Sequence, residues 1–351
     1  MELTVGTKTR HEYLSFELAK AARKMVEEVM PVKPGENVVI TADTKSDARV
    51  VEATAQAVYA LGAHPVVIWH ETLPEANMEP PSPVAAALAA ANVWFEYNVS
   101  SILYTEARLQ AIYAGCRHAC YGAMDSDMMV RTIGRVNYLA MQKLGEKLEE
   151  LSKAATEMRI TSPAGTDFRA RIDKNPPRYV PGAGAADKPG QGYSQMLGGS
   201  SGFRAIAGSI NGTIVFDGSI GPPAELGILK SPVKLTLKHG CITAIEGGHE
   251  AKVYERWLAS FEHEMMYQIA HLSFGHHPEI TRLTGRIVED ERVFGCMNIG
   301  IGPTRLGAPT HSDGIFLNAS VWADDVQFED EGTYVHPDLV EICREMEVAG
   351  Y

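Results

Sequence analysis

Short apolar runs alternate with segments of helical periodicity over roughly the first 150 residues. Four runs have the length and apolar content of buried strands: residues 37–41, 65–69, 92–96 and 116–121. Apolar residues recur at helical spacing in the segments around them: residues 14–30, 47–61, 106–114 and 136–156. This alternation predicts an α/β domain in which a parallel sheet is covered by flanking helices.

The pattern changes after residue 156, where short strand-like pieces are separated by Gly, Pro and Asn. The predicted strands of this half are residues 157–161, 167–172, 212–216, 233–238 and 241–245. A stretch rich in Gly, Pro and Ser, 176–202, predicts a long loop, and one helix is predicted over roughly 250–271. We therefore expect an α/β domain over residues 1–156 and a mainly β (α+β) domain, carrying the metal site, over residues 157–351.

Composition and charge narrow the classes of partner. The chain is 45% hydrophobic and 22% charged, which is typical of a globular protein. Its net charge of −12 repels phosphate backbones, so we expect no nucleic-acid partner. No apolar run approaches the roughly 18 residues that span a bilayer, and the first residues lack the apolar core of a signal peptide. Five scattered cysteines favour a reducing compartment, so the expected location is the cytoplasm, without a membrane partner.

The motif with the most specific chemistry is His311-Ser312-Asp313. Residues i and i+2 of a strand point to the same face, so this pair can present an imidazole nitrogen and a carboxylate oxygen to one point. Two histidines and one carboxylate on one face of an ion leave three positions open, an arrangement suited to non-heme Fe(II). A His-x-Asp pair by itself is common, so a third ligand is needed to distinguish a metal site from surface chemistry.

Four histidines upstream are candidates for the third ligand: His263, His271, His276 and His277. His263 opens a stretch that misses the H-E-x-x-H motif, because Tyr267 stands where the second histidine belongs, and it fits a helix surface better. His276 and His277 precede a proline in a predicted turn, where exposure explains them. His271 lies among apolar residues near the end of the predicted helix, and this pattern fits a buried structural histidine and a ligand equally well.

Three further patterns favour structural readings. Residues 198–202 match G-x-S-x-G, but no predicted strand precedes them as a nucleophile elbow requires. Residues 116–120 read Cys-x-His-x-Cys without the second pair of thiolates that a structural zinc site needs, so a buried strand is favoured. The charged run 289–292 is typical of a solvated face, although Arg292 could turn inward.

Several segments together resemble a known family. They read GTDF at 165–168, GSINGT at 208–213, a glycine-rich stretch at 245–251 and APTHSDG at 308–314. Their order is similar to that of the thermophilic-type metallo-aminopeptidase superfamily over about residues 157–325. Within it the chain more closely resembles 2,5-dihydroxypyridine 5,6-dioxygenases, Fe(II) enzymes of nicotinate catabolism.

The resemblance to the peptidases does not extend to their metal ligands. These enzymes carry a two-metal site, with carboxylates or a histidine at positions that here are His271, Asn298 and residues 200–202. Two adjacent metals need bridging carboxylates to offset their charge, and only Asp313 remains of those expected. The favoured hypothesis is therefore a ring-cleaving dioxygenase, which is an oxidoreductase. The alternatives are a hydrolase of the aminopeptidase type and a metal-binding protein without turnover.

The dioxygenase resemblance implies roles for individual residues. It implies Fe(II) as the cofactor, with the metal ligands His271, His311 and Asp313. It implies catalytic residues that orient an oxyanion, form hydrogen bonds or move protons: Arg292, Tyr104 and Gln195. It implies substrate-binding residues: Asn298, Ser194 and Lys188. The residues at pocket positions 104, 188 and 194–195 differ from those expected in the family. The small aromatic substrate is therefore expected to be 2,5-dihydroxypyridine or another hydroxylated pyridine, and O2 is the second substrate. Relatives of this kind also imply a homo-oligomer, a dimer or higher.

Overall fold

The computed structural model describes residues 14–174 and 192–351. Its helices are α1 Ser15–Lys24, α2 Ala48–Ala60, α3 Ser82–Ala89, α4 Glu106–Tyr113, α5 Ser126–Met129, α6 Tyr138–Ala154, α7 His249–Ala259, α8 Ile287–Asp290 and α9 Pro337–Glu345. Its strands are β1 Asn37–Asp43, β2 His64–His70, β3 Val93–Glu96, β4 Arg117–Cys120, β5 Glu157–Thr161, β6 Asp167–Arg171, β7 Tyr193–Met196, β8 Ser200–Phe203, β9 Asn211–Phe216, β10 Ser219–Gly221, β11 Gly227–Ile228, β12 Val233–Lys238, β13 Cys241–Gly247, β14 Ile269–Gly275, β15 Cys296–Ile301, β16 Ser312–Phe316, β17 Ser320–Ala323, β18 Val326–Asp330 and β19 Thr333–Tyr334.

The described residues form two compact units, 14–135 with 192–197 and 136–174 with 198–351. These bounds differ from the expected domains, 1–156 and 157–351, in two respects. Helix α6 belongs to the second unit, where it packs against α9 and β8. Strand β7 belongs to the first unit, because it pairs with β4. None of the helices in the described ranges combines the length and apolar character needed to cross a bilayer.

The first unit contains a five-stranded sheet in the order β2-β1-β3-β4-β7, in which every pairing is parallel. Its inner strands are apolar on both faces; β1 buries Val38, Val39 and Ile40. Strands with this composition need cover on both sides, and helices that recur between the strands supply it. The predicted parallel sheet with flanking helices is confirmed.

The second unit contains two antiparallel sheets. The larger has the order β13-β12-β9-β6-β5-β17-β18-β19, and the smaller has the order β11-β10-β16-β15-β14-β8. The larger sheet shows period-two burial in β5, β6 and β12, as expected of strands with one solvated face. In the smaller sheet β15 is buried along its whole length. The predicted mainly β character of this half is confirmed.

The predicted loop over 176–202 and the predicted helix over 250–271 are wrong in part. Residues 192–202 contribute β7 and most of β8, whose polar composition hides them from apolar periodicity. Helix α7 ends at Ala259, because Glu262 adopts a left-handed conformation with φ 48° and the chain reverses. His263 then accepts a hydrogen bond from the backbone N–H of Met265 in a short turn instead of lying on a helix surface. His271 consequently lies in strand β14.

We expect Asp47→Ala to destabilise the first unit by about 1–2 kcal/mol, because Asp47 caps α2. Its side chain accepts a hydrogen bond from the backbone N–H of Arg49, and it also accepts from the backbone N–H and hydroxyl of Ser126. Burial would raise the pKa of Asp47, but the guanidinium of Arg49, which donates to both carboxylate oxygens, and these further bonds outweigh it and lower the pKa to about 2. Denaturant unfolding measures the loss, and Glu52→Ala, an exposed carboxylate of the same helix, is the control.

The pH dependence of this effect has a definite sign. The pKa of Asp47 is lower in the folded chain than in the unfolded one, so its contribution is present above the unfolded value and is lost on acidification. The stability difference between wild type and Asp47→Ala should be largest near neutral pH and should shrink as the pH falls from about 5 towards 2. A difference that is constant over this range would contradict the role of the ionised carboxylate.

Candidate metal centre

Three adjacent strands of the smaller sheet bring the predicted ligands together. His271 in β14 pairs with Gly300 in β15, and Gly300 pairs with Asp313 in β16. Direct cross-strand partners project on the same face of a sheet. Gly300 carries no side chain, so the imidazoles of His271 and His311 can lie over its backbone. His311 comes immediately before β16 and completes the group from the same side.

The donor atoms of this group converge. Nε2 of His271 lies 3.1 Å from Nε2 of His311 and 3.2 Å from Oδ1 of Asp313. Nε2 of His311 lies 3.4 Å from Oδ2 of Asp313. These separations suit neighbouring positions around one ion bonded at about 2.1 Å. The three residues are among the groups in the described ranges whose donor atoms are close enough to hold a metal.

The electrostatics of the group fit a cation. Burial would raise the pKa of Asp313, but the imidazoles of His311 and His271 outweigh it and hold that pKa well below its usual range. Burial would lower the pKa of His311, but the carboxylate of Asp313 outweighs it and raises the pKa to about 9. Oδ1 of Asp313 is buried and accepts no hydrogen bond within the described part of the chain. A divalent cation at this point would satisfy the orphaned oxygen and both facing nitrogens.

Each imidazole has a hydrogen-bond partner at its Nδ1. Nδ1 of His311 lies 3.0 Å from the carbonyl oxygen of Gly302, to which it donates, so the neutral ring would offer the lone pair of Nε2 to an ion. Nδ1 of His271 lies 3.3 Å from the hydroxyl oxygen of Ser273. Both Nε2 atoms therefore face the centre. The sequence left open whether His271 is structural or a ligand, and its Nε2 lies where it could serve as a ligand together with His311 and Asp313.

The charged run 289–292 is not a solvated face, and that prediction is wrong. Glu289, Asp290 and Arg292 are buried. The carboxylate of Asp290 accepts hydrogen bonds from the backbone N–H groups of residues 284 and 285, which offsets the cost of burying it. Arg292 turns inward, where Nη1 donates to the carbonyl oxygen of Val288 at 2.6 Å and to the carboxylate of Glu291.

His276 and His277 are likewise buried rather than exposed in a turn, so that prediction is also wrong. Nε2 of His276 lies 3.0 Å from the hydroxyl oxygen of Ser201. Burial lowers the pKa of His276 to about 3. This histidine is therefore neutral and bonded within the core, away from the metal ligands.

The sequence analysis missed Glu291. Its Oε2 accepts a hydrogen bond from Nδ2 of Asn298 at 3.0 Å, and Asn298 lies on the same strand as Gly300. Burial raises the pKa of Glu291, the guanidinium of Arg292 opposes that shift, and Asp313 adds to it. The position next to Arg292 was the single available signal, and in a run of four charged residues it does not distinguish Glu291 from its neighbours.

The other predicted catalytic and substrate-binding residues belong to the first unit or fall outside the described ranges. Tyr104 is 49% exposed. Ser194 is buried, and its hydroxyl oxygen lies 2.7 Å from Nδ1 of His118 and accepts from Arg108 at 3.1 Å. Nε2 of Gln195 donates to the carbonyl oxygen of residue 29 at 3.2 Å. Lys188 lies outside the described residues. Their roles stay predictions.

A second group of potential ligands, Glu96, His118 and Cys120, is wholly buried in the first unit. The carboxylate of Glu96 accepts a hydrogen bond from the backbone N–H of Ile102 at 2.7 Å and lies 3.0 Å from Nε2 of His118. The His118 ring stacks on Trp94, with ring centroids 3.7 Å apart. These contacts satisfy the polar atoms without an ion, and they confirm the predicted buried strand at 116–120.

The fold and the convergent side chains define a class of site: a candidate metal centre of two histidines and one carboxylate on an antiparallel sheet. A family model described as 2,5-dihydroxypyridine 5,6-dioxygenase matches residues 17–336, and the chain belongs to that family. This confirms the family resemblance seen in the sequence.

Individual relatives agree with the family. A 2,5-dihydroxypyridine 5,6-dioxygenase from Pseudomonas putida KT2440 is 28% identical over 204 residues, which cover 54% of this chain and 57% of that relative. A solved 2,5-dihydroxypyridine dioxygenase from the same strain superimposes with a TM-score of 0.74 at 20% identity, covering 93% of this chain and 99% of that one. Wild-type AmpT from Thermus thermophilus gives 0.68 at 13% identity, covering 92% and 100%. At these identities both structures show the fold alone.

Proposed function

We propose that this chain is an Fe(II)-dependent dioxygenase that opens the ring of a hydroxylated pyridine such as 2,5-dihydroxypyridine. The observation that carries the proposal is the convergence of His271, His311 and Asp313 on one point, with donor separations of 3.1–3.4 Å. Three protein ligands on one face leave room for a ring hydroxyl and O2 on the other. When bound, Fe(II) supplies a path for electrons from the electron-rich ring to O2.

The surroundings of the three ligands support one metal rather than two. Strand β8 lies next to β14, and its Gly202 pairs with Ser273, so its small residues share the face that carries His271. These are positions at which the two-metal peptidases place a carboxylate, and here they carry none. Glu291 is the nearby acid, but Arg292 and Asn298 engage its carboxylate. A hydrolytic centre would lack its bridging ligand.

The chain's own residues have separable tasks in this reaction. Asp313 contributes negative charge to the metal, while the bonds from Nδ1 of His311 and His271 keep both rings aimed at it. The buried guanidinium of Arg292 offsets negative charge on the hydroxylated ring, since it stays protonated at any working pH. We assign Tyr104 and Gln195 hydrogen bonding or proton transfer, and Ser194 and Lys188 substrate contacts. The proposal also includes a cytoplasmic homo-oligomer.

Anaerobic purification followed by metal analysis and oxygen-electrode assays tests this function. We expect one iron per chain, O2 uptake with 2,5-dihydroxypyridine, and loss of the ring's ultraviolet absorption with one O2 consumed per ring opened. Retention of two Zn, Co or Mn ions with release of amino acids from peptides would instead support the hydrolase. One iron without O2 uptake across a panel of hydroxypyridines would leave a metal-binding protein and overturn the proposal.

A further inference from the structure

Asn298 borders the metal centre and is wholly buried. It precedes Gly300 by two residues on β15, so both face the same side of the sheet. Its partner across β14 is Ser273, whose hydroxyl oxygen lies 3.3 Å from Nδ1 of His271. Its partner on β16 is Ile315, two residues beyond Asp313. Asn298 therefore occupies the row of side chains next to the row that carries the ligands.

The orientation of the Asn298 amide is set by Glu291. A carboxylate only accepts hydrogen bonds, so the amide must turn its NH2 towards Oε2 of Glu291, 3.0 Å away. Glu291 is in turn held by Arg292, whose guanidinium is anchored on the carbonyl oxygen of Val288. The carbonyl oxygen of the amide must then point the other way.

That oxygen has no partner among the residues that the structure describes. Oδ1 of Asn298 is buried and accepts no hydrogen bond from them, although buried polar atoms almost always find a partner. The hydroxyl oxygen of Ser273 is the partner of Nδ1 of His271 and is not bonded to Asn298, and Gly300 has no side chain to offer. The donor that satisfies Oδ1 therefore comes from outside the neighbouring side chains on β14 and β15.

We propose that Oδ1 of Asn298 accepts a hydrogen bond from the ring N–H of the substrate, and that Glu291 is the positioning residue that makes the amide an acceptor there. This inference rests on the proposed function and names the feature that selects the substrate class. A 2-hydroxypyridine exists largely as its pyridone tautomer, which carries an N–H. A benzenediol of the same shape offers a C–H at that place. A site built around a hydrogen bond rejects the analogue that lacks the donor, because the buried acceptor is left unpaired.

The test compares two ligands of equal shape, 2,5-dihydroxypyridine and benzene-1,4-diol. Anaerobic calorimetric titration of the iron-loaded protein measures the Kd of each, and metal analysis of every variant checks the centre. We expect wild type to bind the pyridine about 10- to 100-fold more tightly. Asn298→Leu should bring this ratio close to one, mainly by weakening the pyridine, while the iron content stays unchanged. Gln327→Leu, which removes a side-chain amide from β18, should leave the ratio as in wild type.

The variant Glu291→Gln separates positioning from packing. Glutamine keeps the size of the side chain but can donate to Oδ1 of Asn298, which allows the amide to turn round. We expect a discrimination ratio between those of wild type and Asn298→Leu, with a rise in KM for the pyridine larger than the fall in kcat. A purely structural role for Glu291 would weaken both ligands equally and leave the ratio intact.

Two outcomes overturn the inference and are distinguishable. If wild type binds and oxidises the pyridine but Asn298→Leu keeps the discrimination, the donor to Oδ1 is water and the function stands without the inference. If iron-loaded wild type neither binds nor oxidises any hydroxypyridine, the proposed function fails and the inference fails with it.

Discussion

His311→Ala is expected to abolish metal retention and ring cleavage together while the chain stays folded. His311 is the ligand that links the other two, at 3.1 Å from His271 and 3.4 Å from Asp313. Removing a partner that merely orients a ligand already weakens metal binding about 10- to 100-fold, so removing the ligand itself should lower the affinity by more than about 100-fold.

The measurement is iron per chain after gel filtration, with a thermal unfolding scan of the metal-free protein. Iron should fall from one per chain to near zero, and the metal-free unfolding temperature should change little or rise. The unfolding temperature rises if relief of the crowding among the three buried polar side chains outweighs the loss of the ion pair between His311 and Asp313. The control is His249→Ala, an exposed histidine at the start of α7, which should keep both iron and activity. Full activity in His311→Ala would remove the proposed centre.

Gly300→Ala is expected to lower activity by about 100-fold or more, although it adds a single methyl group. A Cβ at this position would collide with the imidazole of His271 and lie 2.7 Å from Cε1 of His311. The rings would have to move by the better part of an ångström, and a misplacement of that size can cost about 100-fold in rate. Strain from the extra methyl group should also destabilise the second unit by about 1–3 kcal/mol.

A matched glycine distinguishes this effect from a general intolerance of alanine. A Cβ at Gly208, in the same unit, would meet no heavy atom within 4 Å. Gly208→Ala should therefore keep wild-type iron content, activity and unfolding temperature. Gly300→Ala should bind iron more weakly than its loss of stability explains. An iron titration at a temperature well below unfolding, where the variant is folded, measures this weakening. Normal iron affinity in Gly300→Ala would show that the ligands tolerate a side chain between them.

Much of the first unit follows from local patterns. The run at 37–41 lies within Asn37–Asp43, and the helix expected at 47–61 is found at Ala48–Ala60, capped by Asp47. Apolar runs and helix caps are local signals because each depends on a few consecutive residues. A strand buried between helices needs a short run of apolar side chains, and the first turn of a helix needs a nearby side chain that accepts from its unpaired backbone N–H groups. The His-x-Asp pair is of the same kind, since two residues two apart on a strand share a face wherever the strand lies.

The strands that the sequence did not predict depend on segments that are distant in the chain. Strand β8 reads SSGF and carries no apolar alternation, and the helix expected over 250–271 hides strand β14. Both pair with segments remote in sequence: β14 is flanked by β8 and by β15. The charged run at 289–292 is different, because the backbone N–H groups of residues 284 and 285 and the carbonyl oxygen of Val288, which offset the burial of its charges, are close in sequence. The spacing of charged and apolar residues does not show that the backbone turns back onto these side chains.

Neighbouring residues determined the two kinds of fold, the family and the His-x-Asp pair of the candidate centre, because periodicity and short spacing are local properties. Only the tertiary structure placed His271 beside that pair, set Gly300 under the imidazoles of His271 and His311, and put the amide of Asn298 against Glu291. Each of these depends on cross-strand register, which sets which distant residues stand side by side on one face of a sheet. Register is a property of paired strands, so no single segment contains it.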